Sequence, residues 1–336
     1  MKRSIINKSL LAFIVLAILF SGCKKGNTTS NQLVGSWRLV NAPYGPGYVI
    51  IGSDMILTTL TTTSTGAHEY SKKAYQIESN TVLVSNTLFQ YSKSGDTLKL
   101  LQDVDNPNSS NNFILVPDAS STTLDTWMPL AVYGTSLPWP DLQMDALTTI
   151  GGTIWTSYSY GGLKAYNSST ATYVSGFNLA NSASGIEAVG SDLWAYDQIG
   201  RTLVKVNVTT HAVTFTSPAV PHGSGNVCQL AYDGVNNIYC INGYRLDVYN
   251  IGTNSFNSYQ MPDSYNDLAF ADGYLFAVTN STVLKIDPAT LQVVKTYRLK
   301  DGMGSDVIAS AGGSDFWIYV SDGLQVPGSF QKITLN

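Results

Sequence analysis

The stretch Leu284-Lys-Ile-Asp-Pro-Ala-Thr-Leu-Gln-Val-Val-Lys-Thr-Tyr-Arg-Leu299 decides the fold of this chain. It contains the frame Asp287-x-x-Thr290-x-x-Val293, in which an apolar strand, a four-residue turn and a second strand follow one another. An Asn or Asp at the turn entry accepts hydrogen bonds from backbone N–H groups just ahead of it, and Thr returns the chain to the β conformation. The stretch therefore predicts a β-hairpin.

The same frame occurs three more times, at intervals of 40, 43 and 37 residues. Its other copies are Asn167-x-x-Thr170-x-x-Tyr173, Asn207-x-x-Thr210-x-x-Val213 and Asn250-x-x-Thr253-x-x-Phe256. One copy of so short a pattern carries no information, but four copies in phase indicate an internal repeat of about 40 residues.

Each hairpin sits in a longer unit of four strands. An inner strand of small and apolar residues comes first, and a second strand then opens with an apolar–aromatic pair. These pairs are Ile154-Trp155, Leu193-Trp194, Ile238-Tyr239, Leu275-Phe276 and Phe316-Trp317. Five such units within residues 124–336 predict a five-bladed β-propeller.

The fifth unit lacks a fourth strand, because the sequence stops at Asn336 directly after its third. Residues 131–137, just before the first unit, resemble a fourth strand that has no blade of its own. We therefore expect this segment to complete blade five, since closing the ring removes sheet edges that would promote aggregation.

Short strands at close spacing within residues 32–118 predict a small barrel or sandwich. The segments Gly35-Ser-Trp37, Tyr75-x-Ile77, Gly95-Asp-Thr-Leu98 and Phe113-Ile-Leu-Val116 resemble the small lipocalin-like domains of bacterial lipoproteins. The resemblance implies a β-barrel domain that either holds an apolar ligand or is filled by side chains. Trp37 is interpreted as a plug at the barrel base.

The segments Lys285-Ile-Asp-Pro-Ala-Thr-Leu-Gln-Val-Val294 and Asp267-Leu-Ala-Phe-Ala-Asp-Gly273 resemble YVTN-type, quinoprotein-like propellers. That fold family contains both binding proteins and enzymes, so the resemblance implies an architecture without a function. The predicted fold class is all-β, with a lipocalin-like barrel followed by a five-bladed β-propeller.

The first 31 residues predict where in the cell the protein is located. Lys2, Arg3 and Lys8 precede an apolar run that is too short to span a bilayer, and Ser21-Gly22-Cys23 follows. This pattern resembles a bacterial lipoprotein signal, with residues 1–22 as signal peptide and 23–31 as tether. Further along the chain, the composition of residues 119–123 predicts a linker between the two domains. It implies that acylated Cys23 anchors the protein to a lipid bilayer of the cell envelope, at the outer membrane or cell surface. The alternative is a secretory signal with a chance Cys.

Composition excludes one class of partner. The 336 residues are 12% charged with a net charge of −4, which argues against a nucleic-acid ligand. Cys228 and Cys240 are interpreted as two buried small side chains, with a cross-strand disulfide as the open alternative.

Catalytic and metal-binding motifs are not found in the sequence. The three histidines, His68, His211 and His222, do not pair at metal-ligand spacing, and no nucleophile elbow or complete glycine-rich nucleotide loop occurs. Acidic and amide residues recur where inner strands begin, and they could ring a cation or cap loop N–H groups. These residues are Asp145, Glu187, Asn226, Asp267 and Asp306. We favour capping, and we predict no metal, no cofactor and no catalytic residue.

The predicted function is therefore binding or interaction, with a glycan, peptide or protein as ligand. The alternative is a propeller enzyme of lyase or hydrolase type acting on an extracellular small molecule or glycan. The loops that enter each inner strand, and those between second and third strands, share one face of a propeller. Aromatic side chains there are candidate ligand contacts. With one histidine, they are Trp139, Tyr158, Tyr160, His222, Tyr244 and Tyr265.

Overall fold

The structure is a computed structural model that describes residues 33–78, 80–106, 112–120, 122–138, 144–158, 162–223, 228–279, 281–300, 305–320 and 328–336. The chain divides into two compact units. The first comprises residues up to 41, 47–59 and 71–121, and the second comprises 42–46, 60–70 and 122–336. The predicted lipidation site, Cys23, lies outside the described residues. No helix among those residues is long and apolar enough to cross a membrane.

The first unit is built on a closed barrel in which each strand pairs with the next in the chain. Its strands are β1 (Gly35–Leu39), β2 (Tyr48–Ile51), β3 (Ile56–Thr62), β4 (His68–Glu78), β5 (Thr81–Val84), β6 (Thr87–Ser94), β7 (Thr97–Leu101) and β8 (Phe113–Pro117). The antiparallel pairing of β1 with β8, with Trp37 opposite Pro117, closes the ring. The predicted barrel is confirmed.

Buried and exposed side chains alternate along the barrel strands, and the buried ones fill part of the barrel interior. In β7, for example, Leu98 and Leu100 are buried, whereas Lys99 between them is exposed. Trp37 is 5% exposed, and its indole Nε1 donates to the Leu33 carbonyl oxygen at 2.9 Å. A buried indole with its one donor satisfied fits the predicted role of a plug.

The propeller begins with a one-turn helix, α1 (Leu124–Trp127), and a strand, β9 (Val132–Pro138). The sequence pattern over residues 127–137 predicts a strand pair or one long strand, whereas in the structure a helical turn reaches Trp127 and the strand begins at Val132. The difference has a local cause, because Thr123 and Thr126 form a reciprocal capping box that stabilises the helical turn.

Four blades contain four antiparallel strands each, and one sheet contains three. Blade one is β10 (Ala146–Ile150), β11 (Thr153–Tyr158), β12 (Gly162–Asn167) and β13 (Tyr173–Asn178). Blade two is β14 (Ala183–Val189), β15 (Asp192–Asp197), β16 (Thr202–Asn207) and β17 (Val213–Ala219). Blade three is β18 (Gln229–Tyr232), β19 (Asn237–Asn250) and β20 (Ser255–Tyr265). Blade four is β21 (Asp267–Ala271), β22 (Tyr274–Val278), β23 (Thr282–Ile286) and β24 (Val293–Arg298). Blade five is β25 (Ile308–Gly312), β26 (Asp315–Val320), β27 (Ser329–Thr334) and β9.

Blade three departs from the predicted pattern because its second and third strands form one continuous element, β19. The first part of β19 pairs with β18, and the part from Gly243 onward pairs with β20. Gly243 has a φ of 58°, a left-handed conformation that Gly adopts without steric cost. One glycine thus replaces the longer loop that the other blades use here.

The repeated turn has the predicted geometry. The Asn167 side-chain oxygen accepts hydrogen bonds from the backbone N–H groups of Ser169 at 2.8 Å and Thr170 at 3.1 Å. Asp287 likewise accepts from Ala289 at 2.8 Å. In each copy the residue after the Thr has a positive φ, which the sequence frame did not predict. These residues are Ala171, His211, Asn254 and Leu291.

Five apolar clusters fill the layers between neighbouring blades, and the fifth closes the ring from blade five back to blade one. There Phe330 and Trp317 of blade five pack with Ile154 and Tyr166 of blade one. β9 pairs with β27, with Leu137 opposite Phe330, so the early segment supplies the outer strand of the last blade. The predicted five-bladed propeller and its closure are confirmed.

Candidate functional site in the propeller channel

The inner strands of the blades bring equivalent residues to equivalent heights around the central axis. To compare the blades, we take on each inner strand the residue that pairs with the aromatic residue of the apolar–aromatic pair on the second strand. These residues are Thr148, Glu187, Ala231, Ala269 and Ala309. Three blades have alanine at this position and blade one has Thr148, so Glu187 is the one carboxylate among the five.

A threonine of blade one forms a hydrogen bond with the Glu187 side chain. The Thr148 hydroxyl donates to Glu187 Oε2 at 3.3 Å and accepts from the backbone N–H of Ala188 at 3.1 Å. The Glu187 side chain is partly accessible to water yet closely surrounded by protein. This burial raises its pKa well above the usual range, and the nearby Asp267 carboxylate raises the pKa further, whereas the Thr148 hydrogen bond lowers it.

Asp267 begins the inner strand of blade four and is 2% exposed. It accepts hydrogen bonds from the backbone N–H groups of Leu268 at 2.7 Å and Ile308 at 2.9 Å. The second bond joins blade four to blade five. Burial raises the pKa of Asp267 well above the usual range, against the lowering effect of these two bonds. Burial thus raises the pKa of both Glu187 and Asp267.

Gln229 occupies the blade between those two carboxylates. Gln229 precedes Ala231 by two residues, and Asp267 precedes Ala269 by two residues. Gln229 and Asp267 therefore lie at the same level along the channel axis. The Gln229 Nε2 donates to the Asp145 carbonyl oxygen of blade one. Its Oε1 is buried and has no hydrogen-bond partner. The amide therefore reaches across the channel and leaves one acceptor unused.

The candidate cation ring does not assemble. Asp306 is exposed and accepts from the Asn266 amide at 2.8 Å, and Asn226 lies outside the described residues. Among the residues that the structure describes, no group of three or more His, Cys, Asp or Glu side chains could hold a metal ion. Asp267 instead caps backbone N–H groups, which is the arrangement that the sequence interpretation favoured.

The predicted aromatic face is only partly described. Trp139 and Tyr160 lie outside the described residues. Tyr244 is 53% exposed and available to a ligand. Tyr265 is 3% exposed, so its ring belongs to the core between blades three and four. Tyr158 is half-buried, with its hydroxyl 3.2 Å from that of Tyr166.

His222 forms a separate polar contact away from the channel carboxylates. Its Nδ1 lies 2.9 Å from Asp247 Oδ1, and its backbone N–H donates to Asp247 Oδ2 at 3.0 Å. Asp247 is 2% exposed and also accepts from the Ser258 hydroxyl at 2.5 Å. His222 therefore joins a carboxylate of β19, and it does not converge with Glu187 and Asp267.

Cys228 and Cys240 are both free and buried between blades two and three. Cys240 pairs with Leu230, so Cys228, two residues before Leu230 and directly before β18 begins, lies diagonal to Cys240. Burial raises the pKa of the Cys240 thiol, and the adjacent Cys228 raises the pKa further. The geometry fits two small buried side chains.

A second candidate site is the interior of the barrel. A cavity of 270 Å³ lies among the barrel strands, with lining residues from β2 through β8 and from the segment that follows β7. Six of its eleven lining residues are apolar, and the other five are polar side chains that include one lysine. The lining comprises Val49, Leu57, Val84, Phe89, Leu100, Phe113, Thr59, Ser71, Thr87, Gln102 and Lys73.

The fold defines a class of protein, an all-β chain with a closed barrel and a five-bladed propeller. The solved structure of Myxococcus xanthus glutaminyl cyclase is similar to it at 19% identity, covering 62% of this chain and 98% of that one, with a TM-score of 0.50. Kuenenia stuttgartiensis hydrazine synthase matches at 14% identity over 56% of this chain and 58% of that one, with a TM-score of 0.38. No family model matches the chain, and no curated protein matches it.

Proposed function

We propose that this protein is a lipid-anchored binding protein of the bacterial cell envelope whose ligand lies inside the barrel. The observation that carries this proposal is the 270 Å³ cavity among the barrel strands. Trp37 and Leu33 pack elsewhere in the interior, so side chains do not fill the whole barrel. A barrel of eight strands is just wide enough to hold one small ligand.

The cavity indicates the ligand's size and chemistry. An apolar cavity of about 150 Å³ holds one benzene, so this space suits a molecule of about ten heavy atoms. Leu57, Phe89 and Leu100 offer apolar contact to its body. Lys73 is exposed at the cavity, and no ion pair joins it to a carboxylate among the described residues. A short amphiphile with an anionic head matches this pattern.

Titration with decanoate and decanol tests the proposal, because the two probes share an apolar chain and differ in head charge. We expect decanoate to bind more tightly by isothermal calorimetry, with its advantage reduced by salt. Lys73→Met should remove that advantage and leave decanol binding unchanged. Lys99→Met, which removes an outward-facing lysine of β7, is the matched control and should change neither affinity.

A second variant tests the cavity itself. Val84→Phe places a ring in the space and should weaken both probes by more than tenfold, while the circular dichroism spectrum shows that the barrel persists. Failure of both probes to bind the wild-type protein would refute the proposal. Equal binding to wild type and Val84→Phe would place the ligand elsewhere.

The enzyme alternative is supported by Glu187. Burial raises the pKa of the Glu187 carboxyl group, and a raised pKa is characteristic of carboxyl groups that act as general acids. The fold neighbour is a glutaminyl cyclase, and at 19% identity that likeness concerns the fold. Incubation with a peptide that begins with glutamine, followed by mass spectrometry, tests this alternative. Cyclised product that disappears in Glu187→Gln would favour the enzyme, and unchanged peptide would refute this activity.

A further inference from the structure

A pocket of 600 Å³ lies at one end of blade four, and all of its lining residues belong to the second compact unit. Asp263 and Asn266 line it where β20 leads into β21, and Thr279 and Thr282 line it where β22 leads into β23. These loops lie on the propeller face for which the sequence predicted ligand contacts. Residues 67–70 form the opposite wall, and none of the lining residues takes part in the barrel cavity.

The walls of this pocket are held in place by contacts within the protein. Ala67 is buried in the apolar cluster between blades three and four, and the backbone N–H of His68 donates to Thr296 Oγ1 at 3.0 Å. On the other wall, the backbone N–H of Thr279 donates to the Thr282 carbonyl oxygen at 2.9 Å, and their hydroxyl oxygens lie 2.7 Å apart. A site formed in advance loses less entropy when a ligand binds.

Several polar groups of the pocket offer hydrogen-bond acceptors. His68 Nδ1 lies 2.9 Å from the Trp127 carbonyl oxygen, which only accepts, so the neutral ring carries its proton on Nδ1 and has an acceptor at Nε2. Asp263 Oδ1 accepts from the backbone N–H of Ser264 at 2.7 Å. Glu69 and Asp263 are exposed, and no ion pair joins either of them to a basic side chain among the described residues. The lining contains no lysine or arginine.

The rest of the lining combines hydroxyl groups with a small apolar surface. Ser281 and Thr282 carry hydroxyls, which both donate and accept hydrogen bonds. Met128 and Leu284 are buried apolar side chains, and the half-buried Tyr70 adds an aromatic ring. Pockets for apolar molecules are lined mainly by apolar side chains, whereas nine of the twelve lining residues here are polar. The ligand should therefore be polar over most of its surface, with an apolar face.

We propose that this pocket binds a neutral saccharide. Sugar hydroxyls donate to the carboxylates and to His68 Nε2, and they accept from the serine and threonine hydroxyls. The C–H face of a sugar ring packs against Tyr70 or Met128. Since an apolar cavity of about 150 Å³ holds one benzene, 600 Å³ suits about 24 heavy atoms, the size of a disaccharide. Glu69 and Asp263 repel an anionic sugar, and an amine would leave the hydroxyl donors unused.

Saturation-transfer NMR on the full mature protein tests the proposal with maltose, cellobiose, lactose and N,N′-diacetylchitobiose. We expect at least one of them to bind, and the uronic-acid form of that disaccharide to bind about tenfold more weakly. Asp263→Asn and Glu69→Gln keep the size of the side chains and remove charged acceptors, so each should weaken binding by about tenfold. Asp272→Asn changes an exposed acid in the β21–β22 turn, at the other end of the same blade, and should stay within about twofold of wild type.

Several outcomes would overturn the proposal. Binding of putrescine without binding of any of the four sugars would show that the carboxylates serve a cation. No binding of either kind would show that the pocket is not a saccharide site. Ser281→Trp places an indole in the pocket and should abolish sugar binding, while thermal unfolding checks that each variant folds. A sugar that binds equally to wild type and to folded Ser281→Trp would show that it binds elsewhere.

Discussion

At the scale of single residues, one side-chain oxygen sets each repeated turn. Asn167 accepts hydrogen bonds from two successive backbone N–H groups, and Asp287 makes one of the same bonds in blade four. The amide of Asn167 and the carboxylate of Asp287 can play the same role in the turn, because the turn uses only an acceptor oxygen of the side chain. The side chain offers the turn N–H groups a partner within the protein.

Substitution at Asn167 tests this use. Asn167→Ala should lower the free energy of unfolding by about 1 kcal/mol, because the N–H groups of Ser169 and Thr170 lose their acceptor. Asn167→Asp should stay within about 0.5 kcal/mol of wild type. Urea unfolding of the three proteins measures the difference. An alanine variant as stable as wild type would show that the turn does not depend on this oxygen.

Glu187 makes stability depend on pH in a direction opposite to that of most acids. A folded-state pKa above the unfolded value means that the folded protein keeps a proton that the unfolded chain has lost. Stability is therefore full below about pH 4.5 and falls as pH rises toward the folded pKa. Asp267, whose pKa is also raised by burial, acts in the same direction. The lowered pKa values of Asp233 and Asp315 affect only more acidic solutions.

Glu187→Gln should reduce this loss of stability. We expect the variant to unfold at a higher temperature than wild type at pH 8, and the gap between the two to shrink at pH 5. Thermal unfolding across that range measures it, with Asp306→Asn as a control that should follow wild type. A Glu187→Gln protein with the same pH profile as wild type would contradict the assigned burial of this carboxylate.

At the scale of elements, β9 is the segment on which propeller closure depends. It lies before blade one in the chain and pairs with β27 at the end, so its contacts span the whole domain. The Gln331 side chain reinforces the pairing by donating to the carbonyl oxygens of Gly134 at 3.1 Å and Thr135 at 3.2 Å. Ala131 and Leu137 add buried apolar surface at either end.

Removal of residues 131–138 should destabilise the propeller by several kcal/mol, because it uncovers apolar surface and leaves the backbone of β27 unpaired. The unfolding midpoint in urea should fall clearly. Removing eight residues from the predicted tether, 24–31, is the matched control and should leave the midpoint unchanged. Equal midpoints for both deletions would show that closure by β9 contributes little.

Repeat and alternation patterns predict the elements well, because they depend on local periodicity. The frame around Asp287 located the hairpins, and the unpaired segment 131–137 located the closing strand. Local conformations that depend on a single cap or glycine were missed, as with α1 and the merged β19. Within the channel, Glu187 and Asp267 were named as residues at inner-strand starts. The raised pKa of each was not predicted, because it depends on how closely the neighbouring blades surround each side chain. Gln229 was missed entirely, although comparing the repeats would have shown a long polar side chain at that height.

At the scale of the whole molecule, two units with different interiors are joined in one chain. The barrel contains a cavity whose lining is partly apolar and partly polar, whereas the inner strands of the propeller carry Glu187, Gln229 and Asp267. The predicted anchor at Cys23 would hold both units at a membrane.

Substitution of Cys23 tests the predicted anchor. Cys23→Ala should move the protein from the detergent phase to the aqueous phase in Triton X-114 partitioning, because acyl chains supply the membrane affinity. Ser21→Ala keeps the cysteine and a small residue before it, so it should partition as wild type does. A Cys23→Ala protein that stays in the detergent phase would show that another feature holds it at the membrane.

The barrel as a ligand site is the central claim, and anomalous diffraction from crystals grown with 10-bromodecanoate tests it most directly. We predict a single bromine peak inside the barrel, near Leu57 and Phe89, with the carboxylate beside Lys73. A bromine peak only in the propeller channel, or no ordered bromine at ligand concentrations that saturate binding in solution, would contradict the claim.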